Sequence, residues 1–289
     1  MESCAGSQHL ARRFTEHGHR VRLMAAQFVK PYVKSNKSDF LDAEAIAEAV
    51  TRPSMRFVPA KTPAQQDLQA VHRVRSGLVR TRTAQINQLR AFLLENGLTI
   101  PRGVRALGHQ VPGILEAAEN GLSDRMRALV AELWQQIREL ERRIGALTQE
   151  LEHLADQDPA CRRLLTVPGI GPLTATALVA AIGDGREFRH GRELAAFLGL
   201  VPRQYSTGGQ PKLLSISKRG NVYLRTLLIH GARAVLRGAD RRADRLGPWS
   251  RALTGRRHPN VVAVALANKL ARIDWAVLVQ GHDYQPSVA

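Results

Sequence analysis

The clearest regularity in the chain is a run of apolar residues whose spacing alternates between four and three: Met126, Val130, Leu133, Ile137, Leu140, Ile144, Leu147, Leu151 and Leu154. Such a seam is the mark of a long helix presenting one apolar stripe to a partner helix. Arg138, Glu139, Glu141, Arg142, Arg143 and Glu150 occupy its other faces. A second long helix is predicted over 64–95, with Arg73, Arg75, Arg80, Arg82 and Arg90 along it, ending at Asn96-Gly97. Two partners satisfy the seam: this basic helix folded back antiparallel in the same chain, or a second copy in a dimer coiled coil. Both hold at once if a helical hairpin pairs with another hairpin.

The segments on either side follow shorter periods. The first sixty residues read as an α/β fragment with a helix near 7–17, a turn at Gly18, a short strand over 20–24 and a helix over 39–50. Pro53, Pro59 and Pro63 then mark a boundary. A connector rich in Pro and Gly follows Gly97. From Asp156 onward short helices are punctuated by Gly and Pro, with 202–217 a loop or hairpin. The apolar stretch from Val261 to Val279 is interrupted by Lys269, Arg272 and Asp274, which makes it an amphipathic or buried helix rather than a bilayer span. The expected fold is mixed and mainly α, in three parts: 1–60, a helical coiled-coil region over 61–155, and a compact helical part over 156–289.

Charge narrows the class of partner. The 289 residues carry a formal net charge of +17, which favours a polyanion because each cation placed on a phosphate releases a condensed counterion. From Cys161 to His258 there are 18 Lys and Arg against five acidic residues, whereas 116–158 is rich in Glu. That segregation suggests a nucleic-acid face separate from a protein-contact face. Only Cys4 and Cys161 are present, too few for a disulfide framework or a four-thiolate zinc site. The first residues show neither the basic nor the apolar region of a signal peptide, so the expected location is the cytoplasm.

Three stretches carry candidate chemistry. Leu165-Thr166-Val167-Pro168-Gly169-Ile170-Gly171-Pro172-Leu173-Thr174-Ala175 has the form of a helix-hairpin-helix element, in which Gly169 and Gly171 permit close backbone approach and the helix start at Thr174 offers amides to a phosphate. An ordinary joint between two helices has the same form. Tyr205-Ser206-Thr207-Gly208-Gly209 sets hydroxyls beside a flexible Gly pair, followed by the cations Lys212, Lys218, Arg219 and Arg225 where a phosphodiester could sit. Asp39 and Asp42, three apart on a helix, share one face, with Glu2 ahead of the first helix. Converging carboxylates can hold Mg²⁺, and an Asp pair at a helix start also complements the helix dipole.

Five motifs occur in one order: Lys30-Pro31-Tyr32-Val33-Lys34 with Asp39-x-x-Asp42; Arg52-Pro53-Ser54-Met55-Arg56-Phe57-Val58-Pro59; Val167-Pro168-Gly169-Ile170-Gly171; Gly199-Leu200-Val201-Pro202-Arg203-Gln204-Tyr205-Ser206-Thr207-Gly208-Gly209; and Ile216-Ser217-Lys218-Arg219-Gly220. Over nearly the whole chain this order resembles the insertion-sequence one-ten family of transposases, more closely its eleven-eleven branch. The resemblance implies a resolvase-like domain of RNase H fold with an Asp-Glu-Asp-Asp site for Mg²⁺, an oligomerising coiled coil, and a small domain supplying a catalytic serine. It also implies recombination of DNA with a structured guide RNA, in a homodimer or homotetramer. Glu2, Asp39 and Asp42 match the second, third and fourth carboxylates, which are expected to meet Ser206 around one phosphate. Ser206 is the expected nucleophile, with Thr207 the alternative one position on. Lys218, Arg219 and Arg225 match the basic segment. The family's first Asp has no counterpart, because the chain begins at the Glu. A mis-called start and a truncated, inactive DNA- or RNA-binding remnant are both open, and either predicts an incomplete sheet with an unpaired edge.

Overall fold

Pairing begins with the first three residues. Ser3 N–H donates to Met24 O at 2.7 Å and Met24 N–H donates to Met1 O at 2.9 Å, so the opening segment runs parallel to the short strand β1, Leu23–Met24. Parallel neighbours need a crossover, and helix α1, Ser7–Glu16, supplies it. After the single-turn helix α2, Ala26–Val29, and a 3₁₀ turn at Lys30–Tyr32 come helix α3, Asp39–Thr51, and strand β2, Phe57–Val58. β2 pairs antiparallel with β1, Leu23 opposite Val58 and Met24 opposite Phe57. Met24, Val29, Ala45 and Ala49 form the buried core here.

This computed structural model describes residues 1–36, 38–241 and 244–286. The chain divides into two units, Met1–Gln66 and Asp67–Ala289. The strand expected over 20–24 is only two residues long, and the connector after Gly97 contains a helix, α5, Val104–Glu116, despite Pro112 inside it. Its Leu107 and Val111 are fully buried. Their spacing of four was the helical signal, and burial of that stripe outweighs the backbone hydrogen bond that Pro112 cannot make.

The two long helices are α4, Pro63–Glu95, and α6, Asp124–Gln157. Of the two partners the apolar seam admits, the structure places the one within the chain. Arg75 Nε donates to Thr148 Oγ1 at 2.8 Å, Arg82 Nη1 meets Glu141 Oε1 at 2.7 Å, and Gln85 Nε2 donates to Gln136 Oε1 at 2.6 Å. Rising numbers on α4 meet falling numbers on α6, so the pair is antiparallel. Ile86, Leu89 and Leu93 of α4 join Leu107 and Val111 of α5 against Val130 and Ile137 of α6.

The same unit continues through α7, Pro159–Leu165, α8, Pro172–Ile182, α9, Gly191–Phe197, the hairpin of β3, Pro202–Gln204, and β4, Leu213–Ile216, then α10, Val222–Arg237, α11, Leu246–Thr254, and α12, Pro259–Gln280. Pro opens α7, α8 and α12, where its missing N–H leaves no helical bond unmade. Side-chain caps start α7 at Asp158 and α10 at Asn221. The core of this part is one cluster around Leu164, Leu178, Leu194, Leu228, Leu266 and Leu270. α12, read as amphipathic or buried, packs on α10 and α9. Among the described residues no helix is long and apolar enough to cross a membrane.

Candidate nucleic-acid interface

In the first unit, Ser38 caps α3, its Oγ accepting from Leu41 N–H at 3.3 Å. Asp39 is exposed and Asp42 half-buried in the first turn, where both favour the helix dipole. Glu2 is half-buried on the edge of the small sheet. Their hard oxygen donors are the chemistry Mg²⁺ takes. Among the described residues, however, no group of three His, Cys, Asp or Glu is placed to hold a metal ion. Glu2, Asp39 and Asp42 therefore do not fit a shared cation as they stand. The motif residues around them have local roles: Lys34 Nζ pairs with Glu44 at 3.2 Å, and Arg52 bonds Glu48 while its guanidinium sits 5.7 Å from the Tyr32 ring centre. These contacts hold the 3₁₀ turn to α3.

In the second unit, Ser206 lies on the exposed β3–β4 hairpin. Gly208 and Gly209 turn it at φ of 55° and 76°, the left-handed pair that a tight hairpin needs. Tyr205 N–H donates to Lys212 O at 2.9 Å. The Ser206 Oγ accepts twice, from Gln204 Nε2 at 2.9 Å and from Lys212 N–H at 3.1 Å. Two donors on one hydroxyl oxygen favour negative charge there and leave its proton free to depart. Thr207 makes no side-chain hydrogen bond among the described residues, although its backbone closes the turn with Gln210. Lys212, Lys218 and Arg219 are exposed nearby in sequence.

Arg225 departs from expectation. Its side chain is buried, and Nη1 donates to Leu198 O at 2.9 Å, so the guanidinium satisfies a carbonyl inside the protein and is not presented to a phosphate. Gly169 is likewise explained by packing, its φ of +81° bringing the loop against α10 at Gly231. Thr174 is buried and its amide bonds Gly171 O at 2.9 Å. With Pro172 lacking an N–H, the start of α8 offers fewer free donors than the helix-hairpin-helix reading supposed. Gly171 keeps open space around its Cα.

One constellation escaped the sequence reading. His72 of α4 is buried, with Nδ1 at 3.0 Å from Tyr223 Oη and Nε2 at 3.0 Å from Thr176 Oγ1. Thr176 Oγ1 donates to Pro172 O at 2.6 Å, so it must accept from the Nε2 proton, and Nδ1 accepts from the tyrosine. Burial, aided by Arg75, pushes the imidazole down to about 4 and keeps it neutral. The available signal was register: His72 falls in line with Leu68, Val79 and Ile86 on the face α4 turns inward.

Comparison with known proteins gives two family matches, the IS116/IS110/IS902 transposase family over residues 161–246 and the IS110 DEDD transposase family over residues 2–96. A protein of Pseudomonas aeruginosa named "Probable family 20 transposase" is 52% identical over 287 residues, covering 99% of this chain and 85% of that protein. The transposase for insertion sequence element IS1111A of Coxiella burnetii is 47% identical over 285 residues, 99% of this chain and 78% of that protein. The transposase for IS1328 of Yersinia enterocolitica is 47% identical over 289 residues, 97% of this chain and 83% of that protein.

Proposed function

Since the chain belongs to the IS110/IS116/IS902 family of insertion-sequence transposases, we propose that it cleaves and rejoins DNA strands with Ser206 as the nucleophile. The observation that carries this reading is the doubly donated Ser206 Oγ on an exposed hairpin. In the proposed step the Oγ–phosphorus bond forms, the bond from phosphorus to the leaving strand oxygen breaks, and that oxygen ends protonated as the serine proton departs. Attack by the freed hydroxyl of another strand reverses these bonds and regenerates serine. Lys212, Lys218 and Arg219 bind the phosphate backbone, and Gly171 marks a place where the backbone can approach it. The net charge of +17 favours nucleic acid generally, and we extend the reading to a structured guide RNA that pairs with donor and target, with homodimers or homotetramers as the working assembly.

The DEDD family goes with divalent metal use. Glu2, Asp39 and Asp42 are the residues that correspond to its carboxylates, but their placement does not form a cation site, so no step here runs through a metal. The same observation favours a second reading, a protein that binds DNA or RNA without cleaving it.

The two separate on one experiment. The purified chain is incubated with Mg²⁺, RNA transcribed from the element and a junction oligonucleotide carrying the element's ends, and a denaturing gel is scored for protein covalently joined to DNA. Ser206→Ala is expected to abolish that product and Thr207→Ala to leave it. Product persisting in Ser206→Ala removes the serine assignment, and binding with no covalent product in the unmodified chain selects the second reading.

A further inference from the structure

Between α4, α8 and the start of α10, all within the second unit, lies a cleft of about 440 Å³. Its α4 wall carries Arg73, Ser76 and Arg80 at spacings of three and four, which places them on one face of the helix. The opposite wall is made by small alanines of α8, and the first turn of α10 contributes Asn221 and Tyr223. The hydrogen-bonded Tyr223–His72–Thr176 chain fixes the geometry where the three helices meet.

Charge identifies the occupant. Arg73 and Arg80 are exposed and, among the described residues, take part in no salt bridge or side-chain hydrogen bond. No carboxylate lines the cleft, so its two guanidinium charges are not neutralised from within, and neutral His72 adds none. The α10 end adds to the same sign: it is the N-terminus of a 16-residue helix, the positive end of its dipole. An anion with polar flanks is therefore favoured. Volume decides its form. A volume of about 440 Å³ lies in the range that holds one small-molecule-sized occupant, which suits a nucleotide unit of one strand better than the whole width of a duplex.

We propose that this cleft seats a phosphodiester of a single DNA strand, held by Arg73 and Arg80 with Ser76 and Asn221 as hydrogen-bond partners. The proposal rests on the reading of the chain as a DNA-acting protein and adds a binding site separate in sequence from the β3–β4 hairpin.

The test uses the full chain and fluorescence anisotropy with a labelled single-stranded DNA, a duplex of the same sequence and an RNA of the same sequence, across a salt series. Arg73→Gln/Arg80→Gln is compared with Arg138→Gln/Arg143→Gln, an equal charge change on exposed positions of α6. The cleft variant is expected to weaken single-strand binding by roughly tenfold at low salt and to flatten the log–log salt dependence by about 1.4, two phosphate contacts on a single strand. The control pair is expected to do neither, and duplex affinity to hold. Equal losses in both variants, or a loss confined to RNA or to duplex, overturn the proposal. Bromodeoxyuridine cross-links should map to residues 69–80 or 221–224, and cross-links only elsewhere overturn it as well. If the unmodified chain binds no DNA at all, the underlying reading fails, a result distinct from normal binding that ignores Arg73 and Arg80.

Discussion

Gly169 and Gly231 stand backbone against backbone. A Cβ on Gly169 would lie 2.6 Å from the Gly231 carbonyl oxygen, and one on Gly231 would lie 2.1 Å from the Gly169 oxygen. The turn between α7 and α8 is thereby pressed onto the middle of α10, which is how a motif with the look of a phosphate-binding loop comes to serve helix packing.

Gly231→Ala should accordingly destabilise the second unit. Forcing a methyl group into a filled contact costs about 1–3 kcal/mol, and here the obstacle is backbone that cannot rotate away. Thermal unfolding by circular dichroism should show a lower midpoint for Gly231→Ala and little change for Gly171→Ala, whose surroundings are open. Equal midpoints in all three proteins would contradict the contact.

His72 predicts a pH dependence. Its folded value near 4 lies below the ordinary 6.5, so between those limits the unfolded chain binds the proton that the folded chain refuses. Stability is full above pH 6.5 and falls as pH drops towards 4, by at most about 1.4 kcal/mol per unit. Urea unfolding of the wild type should steepen in this window relative to His72→Asn, which cannot titrate. Parallel pH profiles would rule this out.

Asp274 works in the opposite direction. It is fully buried on α12, neither oxygen has a hydrogen-bond partner among the described residues, and burial raises its carboxyl well above 3.8. The folded state therefore holds a proton that the unfolded state releases, and stability contributed by the neutral acid is lost as pH rises from 3.8 through the folded value. Asp274→Asn should be more stable than wild type at neutral pH, with the advantage shrinking on acidification. A variant that is less stable at pH 7 would point to a partner for this carboxylate.

Thiol chemistry offers a direct check of burial. Cys161 is buried and pushed up to about 12, while Cys4 is exposed. A thiolate-selective reagent should modify one cysteine per native chain at pH 8 and two in denaturant. Rapid labelling of Cys161 in the native protein would contradict its place in the core.

If Ser206 is the nucleophile proposed above, Gln204, which donates to its Oγ, should matter to the rate of covalent product formation without being consumed in it. Loss of one of the two donors on Ser206 Oγ by Gln204→Ala is expected to slow covalent product formation by about 100-fold, the lower end of what loss of one such donor costs, with DNA affinity unchanged because no charge is altered. A fall in affinity with an unchanged rate at saturation would assign Gln204 to binding instead.

Much of this architecture was readable from local patterns. The apolar spacing of 126–154 announced α6, Asn96-Gly97 marked the end of α4, the Asp39/Asp42 pair marked the start of α3, and Gly208-Gly209 marked the hairpin turn. Each is a property of residues near one another in the chain. α5 was passed over because Pro112 and three glycines masked its stripe of Leu107 and Val111.

What the amino-acid order determined alone is the two long helices, the start of α3, the mainly helical character and the cationic balance, because propensity, periodicity and charge act over a turn or two. Tertiary structure alone decided that α4 runs antiparallel beside α6, that Arg225 answers Leu198 O inside the core, and that His72 meets Tyr223 across 151 positions. It also left Glu2, Asp39 and Asp42 without a common cation site. These outcomes depend on which distant surfaces pack together, and packing distinguishes a buried arginine from an exposed one where sequence spacing cannot.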